Sequence, residues 1–151
     1  RAVGDDLMET LIKAAMSAPS AGNEQPWHFI VIRDRSLLDA IPAIHPHSRM
    51  LGEAPVAILV LGDPTLEKYE GYWVQDCSAA VENLLLAASG LGLGAVWLGV
   101  YPIEERIRGL RALFGVPGHV VPFAVVPVGY PAERKPPADR FDASRIHGDR
   151  W

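Results

Sequence analysis

The sequence predicts an α/β or α+β fold in which a central sheet of four or five strands is flanked by helices. Apolar residues recur at helical spacing in several segments, and four short apolar runs are bounded by turn-forming residues. The two kinds of segment alternate, or nearly so. A chain of 151 residues, 49% of them apolar, is the size of one domain and can bury its own core. The concentration of apolar residues in a few segments also suggests buried surface in an oligomer.

The N-terminal part predicts one helix followed by one strand. Asp5 or Asp6 can cap an amphipathic helix, because apolar residues after them recur at helical spacing until the chain reaches Pro19. Residues 28–33 then have the composition of a short strand. The apolar run inside it, residues 29–32, suits the interior of a sheet better than an edge.

A second helix and a second strand are predicted next. Asp34 and Ser36 can open a helix that is broken near Pro42. Residues 45–49 have the composition of a loop, and residues 56–61 form a strongly apolar strand that turn-forming residues close.

The second half of the chain predicts two further helices and two further strands. Residues 69–89 form a long helix that is apolar on most sides, which indicates a central position. Residues 95–100 form the third strand, residues 103–114 an amphipathic helix and residues 123–128 the fourth strand. The arginines of the amphipathic helix are expected to face outward: Arg106, Arg108 and Arg111.

We expect residues 1–151 to form a single domain, with residues 130–151 as an extended C-terminal tail. The tail is rich in proline and charge and shows little periodicity. Three apolar residues could anchor it on a partner subunit: Phe141, Ile146 and Trp151.

Composition and charge narrow the classes of partner. A formal net charge of −4 offers no general attraction for nucleic acid or anionic membranes, so small molecules or proteins are the expected partners. The apolar stretch at residues 84–100 is interrupted by glycines and a serine, which argues against a transmembrane helix. A single cysteine, Cys77, and the lack of a secretory segment at the start favour a cytoplasmic location.

Four common chemistries find little support in the motifs: dinucleotide binding, a serine hydrolase, a nucleophilic cysteine and a metal site. Residues 90–95 match G-x-G-x-x-A, but a helix precedes these glycines and a strand follows, so we expect them to end the helix rather than bind a dinucleotide. No G-x-S-x-G motif is present, and Cys77 lies on an apolar helix face, as a small buried residue would. A metal site would need convergent ligands, which the scattered histidines do not indicate: His45, His47, His119 and His147.

Two segments are candidates for binding. In residues 19–27, Gly22 permits a positive φ, while Ser20 and Asn23 offer polar side chains that can bond either to a ligand or to their own backbone. In residues 97–102, a strand that ends in glycine and Tyr-Pro leaves N–H groups unpaired at its tip and lets a flat ring approach the main chain. An ordinary strand end explains the second pattern equally well.

Together these segments resemble the nitroreductase family of FMN-dependent oxidoreductases. The resemblance rests on P-S-x-x-N-x-Q-P-W at residues 19–27, A-P-V-A-I at 54–58, the helix at 75–90, W-L-G-V-Y-P at 97–102 and V-G-Y-P at 128–131. It implies an α+β, nitroreductase-like fold with a mixed or antiparallel sheet. It also implies an intertwined homodimer with flavin sites at the subunit interface.

The resemblance implies which residues bind FMN. The loop at residues 19–27 of one subunit is expected to contact the ring and ribityl chain bound mainly by the other. The strand tip is expected to lie along the isoalloxazine ring, with a backbone amide near Gly99 bonded to N5, and Arg140 to pair with the phosphate. The expected cofactor-binding residues are Pro19, Ser20, Ala21, Asn23, Gln75, Trp97, Leu98, Gly99, Val100, Lys135 and Arg140.

The implied activity is transfer of hydride from NADH or NADPH, by way of FMN, to an electron-poor acceptor such as a nitroaromatic or a quinone in a ping-pong mechanism. No catalytic side chain is assigned, because the flavin carries the chemistry. The alternatives are a relative that uses reduced flavin for dehalogenation or flavin cleavage, a flavin-binding protein without turnover, and an FMN-free interaction protein of the same fold. The family opens with an Arg-Arg-Ser-x-Arg segment that grips the phosphate. This chain starts at Arg1, about where that segment has passed, so either the sequence is trimmed or this member lacks the grip.

Overall fold

Residues 1–133 and 136–151 are described by the computed structural model. In these two ranges the chain forms four α-helices and five β-strands. The helices are α1 (Asp5–Met16), α2 (Arg35–Ala40), α3 (Trp73–Gly90) and α4 (Glu104–Phe114). The strands are β1 (Trp27–Ile32), β2 (Val56–Gly62), β3 (Gly94–Ala95), β4 (Leu98–Gly99) and β5 (Val121–Gly129). None of the helices in the described ranges has the length and apolar character needed to cross a membrane.

The strands form one antiparallel sheet in the order β1-β2-β5-β3, and β4 also pairs with β5. In the register, Leu59 of β2 lies between Ile30 of β1 and Val125 of β5. The α+β alternative is therefore confirmed, and the α/β alternative, which needs parallel strands, is wrong.

Helices cover both faces of the sheet. In β2, Ile58 and Val60 face a core shared with α1 and α3, while Leu59 and Leu61 face a second core with α2 and α4. All seven residues of β2 are buried, which explains why its sequence is continuously apolar rather than alternating. The helix α3 packs both on the sheet and on α1, so its predicted central position is confirmed.

The strand β1 is an edge strand, which corrects the expectation that residues 29–32 lie in the interior of a sheet. Among the described residues, β1 pairs only with β2. It buries Trp27 and Ile32 at its two ends, whereas Val31 is 41% exposed. An apolar run indicates a strand, but the strand's position in the sheet depends on pairing partners elsewhere in the chain.

The predicted third strand, residues 95–100, is divided into β3 and β4. Both pieces follow one continuous register against β5, with Gly94 opposite Gly129 and Leu98 opposite Val125. Extending that register places Pro127 opposite the gap. Because proline has no N–H to donate, the ladder of hydrogen bonds is interrupted there.

The helix α1 begins differently from the prediction. Its N-cap is Gly4, which offers no side-chain cap, so the expectation that Asp5 or Asp6 caps it is wrong. Both carboxylates lie in the first turn, where negative charge favours the helix dipole. Asp5 also pairs with Arg33 at 2.6 Å.

The start of α2 agrees with the prediction. Asp34 is the N-cap, and its carboxylate accepts the N–H groups of Ser36 (2.8 Å) and Leu37 (3.4 Å). The helix passes into a short 3₁₀ turn that contains Pro42, as expected.

A glycine with a positive φ lies near each end of α3, and the helix begins later than predicted. Gly71 has a φ of +84°, so the helix begins only at Trp73. At the other end, Gly92 has a φ of +72° and Leu93 N–H donates to Ala88 O at 2.8 Å. This left-handed cap confirms that the glycines at residues 90–95 end a helix.

The arginines of α4 do not all face solvent. Arg108 is exposed, but Arg106 and Arg111 are half-buried. Arg106 donates to Gly99 O and Arg111 to Val120 O, so the outward expectation is wrong for these two. A helical period places a side chain on a face, but long side chains can reach back to unpaired carbonyl groups.

The C-terminal residues 136–151 are exposed and contain one short 3₁₀ helix, Ala143–Arg145. The three apolar residues of this segment remain outside the core, with Phe141 78% and Ile146 65% exposed and Trp151 fully exposed. Their role as anchors on a partner subunit stays a prediction.

The contact between Gly62 and the Trp73 ring gives a first prediction. A Cβ atom at Gly62 would lie 2.6 Å from Cζ3 of Trp73 and closer still to Cε3. We expect Gly62→Ala to lower the free energy of unfolding by about 1 to 3 kcal/mol, because the rigid ring must move. Urea unfolding measures this change, with Gly90→Ala as the control, since a Cβ there meets nothing within 4 Å. Equal stability of the two variants would contradict the prediction.

Candidate functional site

The loop between α1 and β1 has an unusual backbone. It contains a 3₁₀ turn, Ala21–Asn23, in which Gly22 has a φ of +55° and Asn23 a φ of +56°. Gln25 follows with a φ of +48°. Non-glycine residues rarely adopt these values, which cost on the order of 1 to 3 kcal/mol each and persist only where surrounding contacts enforce them.

Polar side chains of this loop bond to the loop itself. Ser20 Oγ accepts the Gln25 N–H at 3.0 Å, and Gln25 Nε2 donates to Asn23 Oδ1 at 2.8 Å. In the chain alone, Ser20 and Asn23 therefore stabilise their own backbone, which was one of the two alternatives. Asn23 is also exposed, so binding of a ligand by this residue stays a prediction.

A buried pair of carboxyl groups holds the loop on α3. Asp76 Oδ1 accepts the Ala21 N–H at 2.9 Å, and Glu24 Oε2 accepts the backbone N–H of Lys68 at 2.6 Å and of Tyr69 at 3.3 Å. The remaining oxygens, Glu24 Oε1 and Asp76 Oδ2, are buried and accept no N–H or O–H group of the described residues. A hydrogen bond between these two carboxyl groups requires one proton between them, and such a bond shifts their pKa values in opposite directions.

Below about pH 6 the proton of the pair resides on Asp76. Burial raises the pKa of Asp76 to about 6, and the hydrogen bond to Glu24 acts in the same direction. The same hydrogen bond lowers the pKa of Glu24, so Glu24 is the charged member of the pair. Sequence reasoning missed both residues. The only signal was an acidic residue at Asp76, on a helix face that is otherwise apolar.

The turn before α3 packs on the same loop. Lys68 Nζ donates to Gly22 O at 2.7 Å. A Cβ atom at Gly22 would lie 2.7 Å from the Tyr69 ring, so the ring needs a glycine there. These contacts explain how the loop keeps its left-handed backbone.

An aromatic cluster joins the first turn of α3 to the tip of β4. The ring of Trp73 lies 4.8 Å from that of Tyr101 and 5.9 Å from that of Phe123, measured between centroids. Trp97 lies 5.8 Å from Phe123. The first turn of α3 thus contacts both candidate segments, the loop through Asp76 and the strand tip through Trp73.

The tip of β4 presents an unpaired backbone amide. Val100 N–H donates to Phe123 O at 3.0 Å, which is the antiparallel pattern in which the N–H and C=O of Gly99 point away from β5. The carbonyl accepts Arg106 Nη1 at 2.8 Å. The residue is exposed, and a Cβ atom on it would meet nothing within 4 Å. The Gly99 N–H therefore has no partner on β5, and a flat ligand has room against the main chain at Gly99.

The other predicted binding residues differ in how far they are exposed to a ligand. Leu98 and Val100 are buried, so only their backbone can contact a ligand. Gln75 is exposed beside Asp76 on α3. Arg140 is exposed and makes no ion pair within the described residues, and no contact joins it to the loop or the strand tip. Lys135 lies outside the described residues.

A cavity of about 410 Å³ opens beside β3, just before the strand tip. Arg1 lines it, and the Arg1 guanidinium carbon lies 4.2 Å from the centroid of the Tyr130 ring. Such a cation is available to an anionic group in the cavity.

The structure also bears on a metal site and on the reactivity of Cys77. In residues 1–133 and 136–151, no group of three or more His, Cys, Asp or Glu side chains could hold a metal ion. Cys77 is fully buried, and burial raises the pKa of its thiol to about 12. It is a small core residue, as predicted, because a thiol of this pKa supplies almost no thiolate at neutral pH.

Known proteins resemble this chain over its whole length. The model of the Nitroreductase family matches residues 1–48 and 43–130. A protein of Methanothermobacter thermautotrophicus, provisionally named NADH dehydrogenase/NAD(P)H nitroreductase, is 55% identical over 151 residues, which span 100% of this chain and 79% of that protein.

Solved structures share the fold. A provisionally named NADH oxidase of Clostridium acetobutylicum superposes with a TM-score of 0.97 at 45% identity, over 100% of this chain and 92% of the other. A provisionally named nitroreductase of Desulfovibrio desulfuricans, solved in complex with FMN, superposes with a TM-score of 0.84 at 33% identity, over 100% and 88%. These likenesses confirm the nitroreductase-like fold that the motifs implied.

The carboxyl pair predicts how stability depends on pH. The folded-state pKa of Asp76, about 6, lies above the unfolded value of about 3.9. The folded state therefore keeps a proton that the unfolded chain loses, and the free energy of unfolding falls as pH rises through this window, by on the order of 2 kcal/mol.

Asp76→Asn tests this prediction. The amide keeps an acceptor for Ala21 N–H and supplies Glu24 with a donor at every pH, so we expect the fall in stability between about pH 4 and pH 6 to be lost. Thermal unfolding across that range measures the effect. The control is Glu82→Gln, an exposed residue of the same helix. A wild-type profile that matches the Asp76→Asn profile would refute the shared proton.

Proposed function

Because this chain belongs to the nitroreductase family, we propose that it is an FMN-dependent oxidoreductase. It takes hydride from NADH or NADPH and delivers the electrons to an electron-poor acceptor such as a nitroaromatic or a quinone. The two substrates use one site in turn, as a ping-pong mechanism requires. When bound, FMN supplies the hydride chemistry, and the protein supplies binding, orientation and electrostatics.

The observation that carries the proposal is the open amide of Gly99. Its N–H points away from β5 at the end of β4, and the lack of a side chain lets an aromatic ring system lie against the main chain. A donor in this place can bond a ring nitrogen and stabilise negative charge on the reduced ring, without any titrating side chain. The residues present therefore fit the flat part of FMN.

Arginine side chains are the candidates for binding the phosphate group of FMN. Arg140 carries no ion pair within the described residues, and Arg1 lines the cavity beside β3. A guanidinium group can bond two phosphate oxygens at once. Arg140 is proposed as the main phosphate ligand, with Lys135 as a second candidate and Arg1 as an addition from the structure.

The proposed assembly is an intertwined homodimer in which the loop at residues 19–27 reaches the flavin held mainly by the partner subunit, together with Gln75. Two features of the chain support it. The apolar edge strand β1 is partly exposed at Val31, and Phe141 and Trp151 are large apolar residues without cover. A cytoplasmic location fits an enzyme that uses NADH or NADPH and has one buried thiol.

A protein of the same fold without turnover is the alternative, either as a flavin binder or as an FMN-free interaction protein. The absorption spectrum of the purified protein, followed by anaerobic addition of NADH or NADPH, separates the three cases. We expect a yellow protein whose flavin absorbance bleaches with the reductant and returns on addition of a quinone. A colourless protein that FMN cannot reconstitute would refute the proposal, and a yellow one that neither nucleotide bleaches would indicate a binder without turnover.

Asn23→Gly tests the role of the loop. Glycine tolerates the φ of +56° at this position, so the backbone survives while the side-chain amide is lost. We expect FMN to bind about tenfold more weakly, the effect of one lost hydrogen bond of about 1.4 kcal/mol. Titration of the apoprotein with FMN measures the affinity, and thermal unfolding of the apoprotein checks that the loop still folds. Unchanged affinity would show that Asn23 serves only its own loop.

A further inference from the structure

We propose that His45 and Arg106 are positioning residues, which clamp the Gly99 carbonyl and so steady the Gly99 N–H that points to the same edge of β4, and which raise the reduction potential of the bound FMN. The inference rests on the proposed function and extends it to two side chains that lie beside the strand tip.

Two donors converge on the Gly99 carbonyl oxygen. Arg106 Nη1 lies 2.8 Å from it and His45 Nε2 lies 2.9 Å from it, while these two nitrogen atoms are 3.3 Å apart. A carbonyl oxygen has two lone pairs, so both are used. The donors come from separate elements, His45 from the loop after α2 and Arg106 from the first turns of α4.

The hydrogen bonds of His45 assign its tautomer. Its Nδ1 accepts the backbone N–H of His47 at 3.3 Å, so Nε2 carries the hydrogen and donates to Gly99 O. His45 is 2% exposed, and burial lowers its pKa, with the charge of Arg106 acting in the same direction. The ring therefore remains a neutral donor at physiological pH. Ser48 fixes the backbone of His45 by donating its hydroxyl to His45 O at 2.7 Å.

A clamp has a specific use at a glycine. Glycine has the greatest backbone freedom of any residue, and a glycine at a strand tip would sample many orientations. The pairing of Leu98 with Val125 holds the peptide before Gly99, and the clamp holds the peptide after it. With both neighbouring peptides held, the direction of the Gly99 N–H is set before a ligand arrives, which removes an ordering cost from binding.

The clamp also brings an unneutralised positive charge to the site. Within the described residues Arg106 forms no ion pair, and its contacts are Gly99 O and His45. The acidic residues nearest to it in sequence, Glu104 and Glu105, are exposed. A cation beside the amide that is proposed to bond the ring favours the electron-rich, reduced state of the flavin.

The experiment compares Arg106→Met with Arg108→Met. Methionine keeps an unbranched apolar stem and removes the charge and the donors, and Arg108 is an exposed arginine two residues further along the same helix. We measure the midpoint potential of bound FMN, the dissociation constant of FMN and, in the flavin-free protein, hydrogen exchange of the Val100 amide, which belongs to the peptide of the clamped carbonyl and donates to Phe123 O. For Arg106→Met we expect a more negative potential, FMN binding several-fold weaker and faster exchange, with Arg108→Met unchanged in all three.

Three further variants separate charge from geometry. Arg106→Lys keeps the charge and a donor, so it should recover most of the potential. His45→Gln keeps a donor amide and should retain slow exchange of the Val100 amide, whereas His45→Leu should accelerate it. A merely structural role would change stability without a shift in potential.

The outcomes separate a failure of the clamp from a failure of the proposed function. If wild-type protein binds and reduces FMN normally while Arg106→Met leaves the potential and the exchange unchanged, the clamp is wrong and the proposed function stands. If the wild type binds no FMN, the proposed function fails, and the role of the clamp in tuning a flavin fails with it.

Discussion

The candidate site depends on the close packing of the Trp73 ring against Gly62. This contact brings the first turn of α3 down onto the end of β2, which no residue with a side chain at Gly62 would allow without displacing the ring. From that position α3 reaches the loop through Asp76 and the tip of β4 through Trp73 itself. A shift of this turn would therefore move the loop at residues 19–27 and the tip of β4 at once, although neither of these segments contains Gly62.

The loop and the tip of β4 are held in place by opposite electrostatic arrangements. Behind the loop, two carboxyl groups share a proton below about pH 6, and at such pH values a strained left-handed backbone is fastened to α3 with only one negative charge. Beside the strand tip, a neutral histidine and a cationic arginine bond the same carbonyl oxygen. At the strand tip the Gly99 N–H is left without a partner on β5. An enzyme whose cofactor carries the chemistry needs this kind of support more than it needs an acid or a base.

Much of the fold could be predicted from local pattern, and the misses share one cause. The helices, the strand β2 and the cap at Asp34 follow from spacing and residue type, which act within a few residues. The break between β3 and β4 results from Pro127, which lies on a different strand. The exposure of β1 results from its place at the edge of the sheet, where it pairs only with β2 among the described residues. Arg106 was expected in solvent because a helical period cannot show which carbonyl groups nearby lack a partner.

By itself, the sequence determined the class of fold, because turn residues and apolar periodicity act locally. It also determined the family and the two segments that border the site, because the motifs at residues 19–27 and 97–102 are contiguous in the chain. Only the tertiary structure decided how those segments are supported. Asp76 and Ala21 are 55 residues apart, and His45 and Gly99 are 54 apart. Their hydrogen bonds, and the proton that Asp76 retains, arise from burial and proximity that exist only after the sheet and its helices have packed.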